Sequence, residues 1–147
     1  MIDRLGSVPI FVTDQERALA FYRDTLGFEV VMDIPIGRSL RWIAVAPHKG
    51  GTELILFHPD IGGERAEELA QRVGAFTGIV LLTNDIHKTY AELCAHGVEC
   101  ESEPVQQAWG GLETWFSDPD GNRFHLAQRP AWMYEEHSPA SLDAMSQ

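Results

Sequence analysis

The sequence predicts an α+β fold of two tandem βαβββ modules whose curved mixed sheets form a cleft. Three observations lead there. A strand-like run that ends in an acidic helix start occurs twice, at Asp14 and at Asp85, 71 positions apart. A glycine placed to stop the helix that follows recurs at Gly27 and Gly97, 70 positions apart. Each helix is followed by three further strand-like runs, and a repeat of that length with matching punctuation is the signature of a duplicated unit.

In the first unit, Val8, Ile10 and Val12 alternate with Ser7, Pro9 and Phe11, so one face of a strand meets a core and the other has mixed character. Thr13-Asp14-Gln15-Glu16 reads as a capping box with Thr13 as the cap. Ala18, Leu19, Tyr22 and Leu26 make the apolar stripe of the helix that it opens. Strands are expected over 28–33, 40–46 and 52–57, separated by Pro35 with Gly37 and by the run from Pro47 to Gly51. A connector helix is expected over 64–73, with Ala66, Leu69, Ala70 and Val73 inward and a Glu68 to Arg72 ion pair outside. The second unit repeats the plan, with a strand over 78–83, a helix over 85–96 and strands over 98–101, 112–117 and 122–128. The last two strands form a hairpin around Asp118-Pro119-Asp120-Gly121-Asn122. Pro119 fixes φ for the corner, the Asp118 carboxylate accepts backbone N–H bonds, and Gly121 and Asn122 tolerate the exit. The modules therefore span 4–58 and 76–128 of a single domain over 4–128, and 129–147 is a C-terminal tail.

With 147 residues, 44% of them hydrophobic and 22% charged, the chain has the size and balance to bury one core. No basic leader and no apolar run of spanning length is present, so no membrane association is expected and the location expected is cytoplasmic. The net charge of −11 opposes nucleic acid and anionic membranes as partners and attracts cations. Cys94 and Cys100 lack metal or dithiol spacing and are expected to be reduced, small and buried. No GxSxG, glycine-rich phosphate loop or CxxC occurs, which argues against a serine hydrolase, a nucleotide site or a dithiol enzyme.

The repeat joins scattered residues into one candidate site. Seven positions before Asp14 and Asp85 stand Ser7 and Gly78, so the two first strands carry these at equivalent places. Glu53 and His125 each follow a turn and precede a leucine. If the modules pack about a pseudo-twofold axis, the cavity-facing side chains meet in one cleft, with Glu53 and His125 the polar ones. A carboxylate and an imidazole together can bind a divalent cation or move a proton. Trp109, followed by Gly110 and Gly111, is a candidate lip whose indole stacks on a ligand. The facing of Trp42 and Trp115 is open at this stage. His58, an odd number of residues from Glu53, is expected on the opposite face, while His48, His87 and His96 fall on solvated positions.

Asp14 with Ala18-Leu19-Ala20-Phe21-Tyr22, Leu26-Gly27-Phe28, Asp85-Ile86, Gly97-Val98 and Asp118-Pro119-Asp120-Gly121-Asn122 resemble the vicinal oxygen chelate superfamily, which includes glyoxalase I, bleomycin-resistance proteins and extradiol dioxygenases. The resemblance covers residues 5 to 128. It implies that Ser7, Glu53, Gly78 and His125 sit at the four positions that carry metal ligands in metal-dependent members. Ser7 and Gly78 depart from that pattern, and Gly78 offers no side chain.

The expectation from these readings is a small-molecule-binding protein of the glyoxalase and bleomycin-resistance type with a degenerate metal site. Its ligand, cationic or aromatic, is expected in a cleft lined by Ser7, Phe11, Glu53, Gly78, Trp109 and His125. No cofactor is expected; a divalent metal on Glu53 and His125 is the alternative. The competing function is a lyase, isomerase or dioxygenase-like enzyme of the same superfamily that uses Glu53 and His125 as catalytic groups, with or without a metal. A third reading is an interaction module that kept the fold and lost the site. The resemblance also implies a homodimer, with Trp132, Met133 and Tyr134 of the tail as extra contact area.

Overall fold

Ser7 begins the first strand of a computed structural model that describes residues 1–133. Strand β1 (Ser7–Phe11) leads to helix α1 (Gln15–Ala20), which widens into a π turn over Phe21–Thr25. Strands β2 (Glu29–Ile36), β3 (Leu40–Ala46) and β4 (Glu53–Phe57) complete a four-stranded sheet in the order β1-β4-β3-β2. After the connector, strand β5 (Phe76–Leu82) and helix α3 (Ile86–Ala95) open the second module. Short strands β6 (Glu99–Cys100) and β7 (Val105–Gln106) pair with β8 (Leu112–Ser117), and β8 and β9 (Arg123–Gln128) form the terminal hairpin. The second sheet has the order β5-β9-β8-β6. In each sheet the first and last strands of the module run parallel and the remaining pairs antiparallel, so the α+β class and the two βαβββ modules are as the repeat predicted.

The duplication extends to the helix caps. Asp14 accepts from the Arg17 N–H at 3.0 Å and Asp85 from the Lys88 N–H at 3.1 Å, the same position in both modules. Gly27 and Gly97 both take φ near +74° (73° and 74°), where a side chain would be strained. The predicted Thr13 cap is corrected: Asp14 is the cap, and the Thr13 hydroxyl instead donates to Asp120 of the far hairpin at 2.6 Å. The connector is also corrected. A 3₁₀ stretch over Pro59–Arg65 is broken at Gly63, and helix α2 (Ala66–Ala70) is only five residues long. Leu69 is buried there while Ala70 is exposed, and Glu68 pairs with Arg65 rather than with Arg72. Pro35 lies inside β2, which is tolerated because β2 is an edge strand and the missing N–H costs no ladder bond on its open side. Strand β7, two residues long and without an alternating apolar run around it, was not expected.

Ile10, Val12, Leu19, Tyr22, Ile43, Leu56, Ile86, Leu93, Phe116 and Phe124 belong to one core, so the helices and one face of both sheets are buried together. The terminal hairpin turn locks the modules. Asp118 Oδ2 accepts from Tyr22 Oη at 2.7 Å and from Asn122 Nδ2 at 2.8 Å, while Asn122 Nδ2 also reaches the Phe11 carbonyl at 2.9 Å. Gln15, buried at the first turn of α1, plays a similar part inside the first module, since its amide donates to the Arg41 and Leu56 carbonyls. The cysteine expectation is corrected: Cys94 is exposed and Cys100 half-buried. Tyr134 lies outside the described residues.

Candidate functional site

Because Ile10, Leu54, Leu56, Phe124 and Leu126 face the helices, the alternate residues of the same strands face away from them. On the first sheet this helix-free face carries Ser7 and Phe11 from β1, Glu53 and Phe57 from β4, and Trp42 from β3. Ser7 stands opposite Glu53 and Phe11 opposite Phe57 in the β1–β4 register. The rings of Phe11 and Phe57 meet edge to face at 5.5 Å, and those of Phe57 and Trp42 at 6.0 Å. The connector contributes Arg72, whose guanidinium sits over the Phe11 ring at 5.3 Å.

On the second sheet the same face carries Phe76 and Val80 from β5, Arg123 and His125 from β9, and Glu113 and Trp115 from β8. Trp115 and His125 are direct partners in the hairpin register, and their rings stack at 4.4 Å with planes 12° apart. Phe76, 61% exposed, packs against Trp115 at 5.5 Å with its plane tilted by 42°. Arg123 covers the indole at 5.0 Å and is held by Glu101 at 2.6 Å. The two faces meet at the seam between β1 and β5, where Phe11, Arg72 and Phe76 line one small pocket of about 70 Å³. Six rings thus run across the molecule, from Trp42 through Phe57 and Phe11 to Phe76, Trp115 and His125.

His125 Nε2 lies 3.2 Å from Glu113 Oε2, so the carboxylate at ion-pair distance from this imidazole is Glu113 on the neighbouring strand. The approach is not aligned for a hydrogen bond, and Nε2 is buried without a partner among the described residues. Glu53 is half-buried on the first sheet. Gly78 differs from Ser7 in its setting. The β5–β9 register shifts between Phe76 and Val80, Gly78 takes φ +71° within that irregularity, and His125 stands opposite Val80. Counting residues back from the cap cannot reveal such a bulge. Trp109 is at the tip of the β7–β8 hairpin, its indole folded onto Gly111, where a Cβ would clash with the ring. His58 caps the connector by accepting from the Asp60 N–H at 3.1 Å.

Trp42, Phe57, Phe76, Arg72, Glu113 and Trp115 were not singled out as site residues from sequence. For Trp115 and Glu113 a signal existed: counting outward from the terminal turn pairs Trp115 with His125 and puts Glu113 two residues further on the same face. For Trp42 it did not, because its side depends on the pairing of β3 with β4. Among the described residues no three His, Cys, Asp or Glu side chains come together as metal donors. Of the candidate residues, Ser7 offers a hydroxyl and Gly78 no side chain, which leaves Glu53 and His125 as the strong ligand types.

A family model for the Glyoxalase/Bleomycin resistance protein/Dioxygenase superfamily matches residues 2–126. The chain belongs to this superfamily. Within it, the uncharacterized protein YetH of Bacillus subtilis (strain 168) is 34% identical over 87% of this chain and its own full length, 100%. A superfamily member from Sphaerobacter thermophilus DSM 20745 has a solved structure that is 40% identical, with a TM-score of 0.77, covering 87% of this chain and 98% of that one. TnmS3, an antibiotic binding protein from Streptomyces sp. CB03234, is 34% identical with a TM-score of 0.72 over 88% of this chain and 98% of its own. As a glyoxalase-superfamily protein, the chain keeps the two-module frame while carrying aromatic rings across its helix-free face.

Proposed function

We propose that this protein binds a small planar aromatic molecule on the helix-free face. The row of rings from Trp42 to His125 is the observation that carries the reading. Stacking on such rings is worth roughly 0.5–1.5 kcal/mol per pair beyond area burial, and a planar ligand can engage several at once. Similarity to an antibiotic binding protein supports a small-molecule ligand. Glu53 and Glu113 are the groups that would meet a basic substituent, and the net charge of −11 favours its approach. The metal site is degenerate in this reading: Ser7 is a weak ligand, Gly78 is none, and no cofactor takes part. Exposed Met32, Ile34, Val80 and Leu82 support a homodimer, and the free thiols Cys94 and Cys100 suit a reducing cytoplasm. No helix among the described residues is long and apolar enough to cross a membrane.

The test is a titration with proflavine, a planar aromatic cation, followed by protein fluorescence and by melting temperature. Saturable binding that weakens in Trp115→Ala and in Phe57→Ala is expected. Binding indifferent to both substitutions overturns the reading.

The second reading is an acid–base enzyme of the same superfamily, favoured by one observation. The buried, unpartnered His125 Nε2 beside Glu113 is a base poised to take a proton from a bound ligand. Turnover of a hydroxyacylthiol or a catechol by metal-free protein, abolished in His125→Gln, would select it.

A further inference from the structure

The repeat shift of 71 positions relates two cavities on the helix side of the sheets, remote from the aromatic face. One, about 340 Å³, opens between α3 and the β3–β4 hairpin and is lined by Phe28, His48, Thr89, Glu92 and Leu93 among others. The other, about 360 Å³, opens between the π turn after α1 and the β8–β9 hairpin, beside Phe21, Val98, Glu99, Asp118 and Pro119. Under the shift Glu92 corresponds to Phe21 and Pro47-His48 to Asp118-Pro119, and at the 70-position spacing of the stop glycines Gly27-Phe28 corresponds to Gly97-Val98, so the two are the same place in the two modules.

Their linings differ at one corresponding position. Leu93 of α3 corresponds to Tyr22, whose phenol is fully buried and donates its hydroxyl to Asp118. Leu93 is shorter, lines the first cavity itself, and has Pro47 where Asp118 would stand. The first cavity is lined by the buried core residues Leu93, Phe116 and Leu126, the second by Phe21 and Asp118. Polar groups also line the first. The Thr83 and Thr89 hydroxyls are 2.8 Å apart, and the Glu92 carboxylate and His48 ring lie beside them.

We propose that this cavity is a second binding site, separate from the aromatic face, and that it takes a single phenol-like ring. The ring replaces the tyrosine that the other module supplies from its own chain. Its edge packs on Phe28, Leu93, Phe116 and Leu126, and its hydroxyl donates to Glu92 or to a threonine oxygen at the mouth. A cavity of this size lies at the lower end of the range that holds small organic ligands. A polycyclic ligand of the kind suited to the ring row is too broad for it.

The probe is p-cresol, titrated into the full chain by calorimetry, with the methyl resonances of Leu81, Leu93 and Leu126 recorded in parallel. Saturable binding that shifts these methyls is expected. Leu93→Tyr, which restores the residue of the other module, is expected to weaken p-cresol by about tenfold or more and to raise the melting temperature. Trp115→Ala, on the aromatic face, is expected to leave p-cresol affinity unchanged. No binding, or binding lost in Trp115→Ala and kept in Leu93→Tyr, overturns the proposal. Should Leu93→Tyr not fold, the methyl shifts on the wild-type protein decide alone: their absence at saturation refutes the site.

Discussion

Tyr22 and Asp118, 96 residues apart in sequence, are joined by a 2.7 Å hydrogen bond inside the core where the two modules meet. The phenol comes from the first helix and the carboxylate from the last hairpin, so the bond closes the domain across nearly its whole length. Asp118 also accepts the backbone N–H of Asp120 and of Asn122. A buried acceptor that loses one partner does not readily regain it from water. Tyr22→Phe is therefore expected to cost about 1–3 kcal/mol, read from the midpoint of urea unfolding at constant slope. A midpoint unchanged from wild type would show that the bond contributes nothing net.

The same carboxyl gives stability a pH dependence of defined sign. Burial is the largest effect on Asp118 and raises its pKa above the ordinary 3.8, against hydrogen bonds from Asn122 and Tyr22 that lower it. A group that holds its proton more tightly when folded favours folding below its unfolded pKa, and that contribution is lost as pH rises through the raised folded value. The stability advantage of wild type over Asp118→Asn is accordingly expected to narrow as pH rises through this interval. Melting curves of both proteins across it provide the check, and an advantage that widens with pH has the wrong sign.

The two thiols are expected to differ in reactivity. Burial, followed by the neighbouring Cys94 thiol, pushes Cys100 up to about 11, so little thiolate exists at neutral pH. Cys94 is exposed. Iodoacetamide at mildly alkaline pH should label Cys94 well before Cys100, as followed by peptide mass spectrometry. Equal rates would mean that Cys100 is more accessible than its position on β6 indicates.

The frame was legible in the sequence because it rests on local chemistry repeated at a fixed interval. Asp14 and Asp85 mark the strand-to-helix passages, Gly27 and Gly97 end the stretches after them, and the Asp118 to Asn122 turn closes the last hairpin, each by rules that need no distant partner; only the cap itself, Asp14 and not Thr13, was misplaced. The site was legible only in part. Alternation placed Phe11 and His125 opposite to core residues, but which carboxylate would stand beside His125 depends on the β8–β9 register, and the structure puts Glu113 there. Gly78 was equated with Ser7 by counting, which a bulge in β5 defeats. The reach of Arg72 to Phe11 depends on how a short, kinked connector folds back, and no local signal encodes that.

Protein purified without added metal is expected to carry no stoichiometric divalent ion. Glu53 and His125 are the two strong ligand types among the candidate residues, and Ser7 offers only a weak hydroxyl. Elemental analysis answers this directly. One ion per chain, lost in a Glu53→Ala and His125→Ala double variant, would overturn the degenerate-site reading and return the metalloenzyme alternative.

Charge on the ligand is the remaining question, and the aromatic face gives it a definite form. Arg123 lies over the Trp115 ring and is neutralised by Glu101 at 2.6 Å, so it holds an anionic group only by giving up that pair, whereas Arg72 lies over Phe11 on the far side of Phe76 from Trp115 in the ring row. Glu53 lies on the same face, opposite Ser7. Proflavine, cationic at neutral pH, should therefore raise the melting temperature more than pyrene-1-sulfonate, which is comparable in its planar aromatic character but anionic. Glu53→Gln should reduce the proflavine shift while leaving the sulfonate shift in place, because it removes charge and keeps shape. Added salt should weaken proflavine only modestly, since a half-buried carboxylate is screened less than an exposed one. Equal shifts from the two probes, both insensitive to Glu53→Gln, would leave stacking as the whole of recognition and remove the electrostatic part of the proposal.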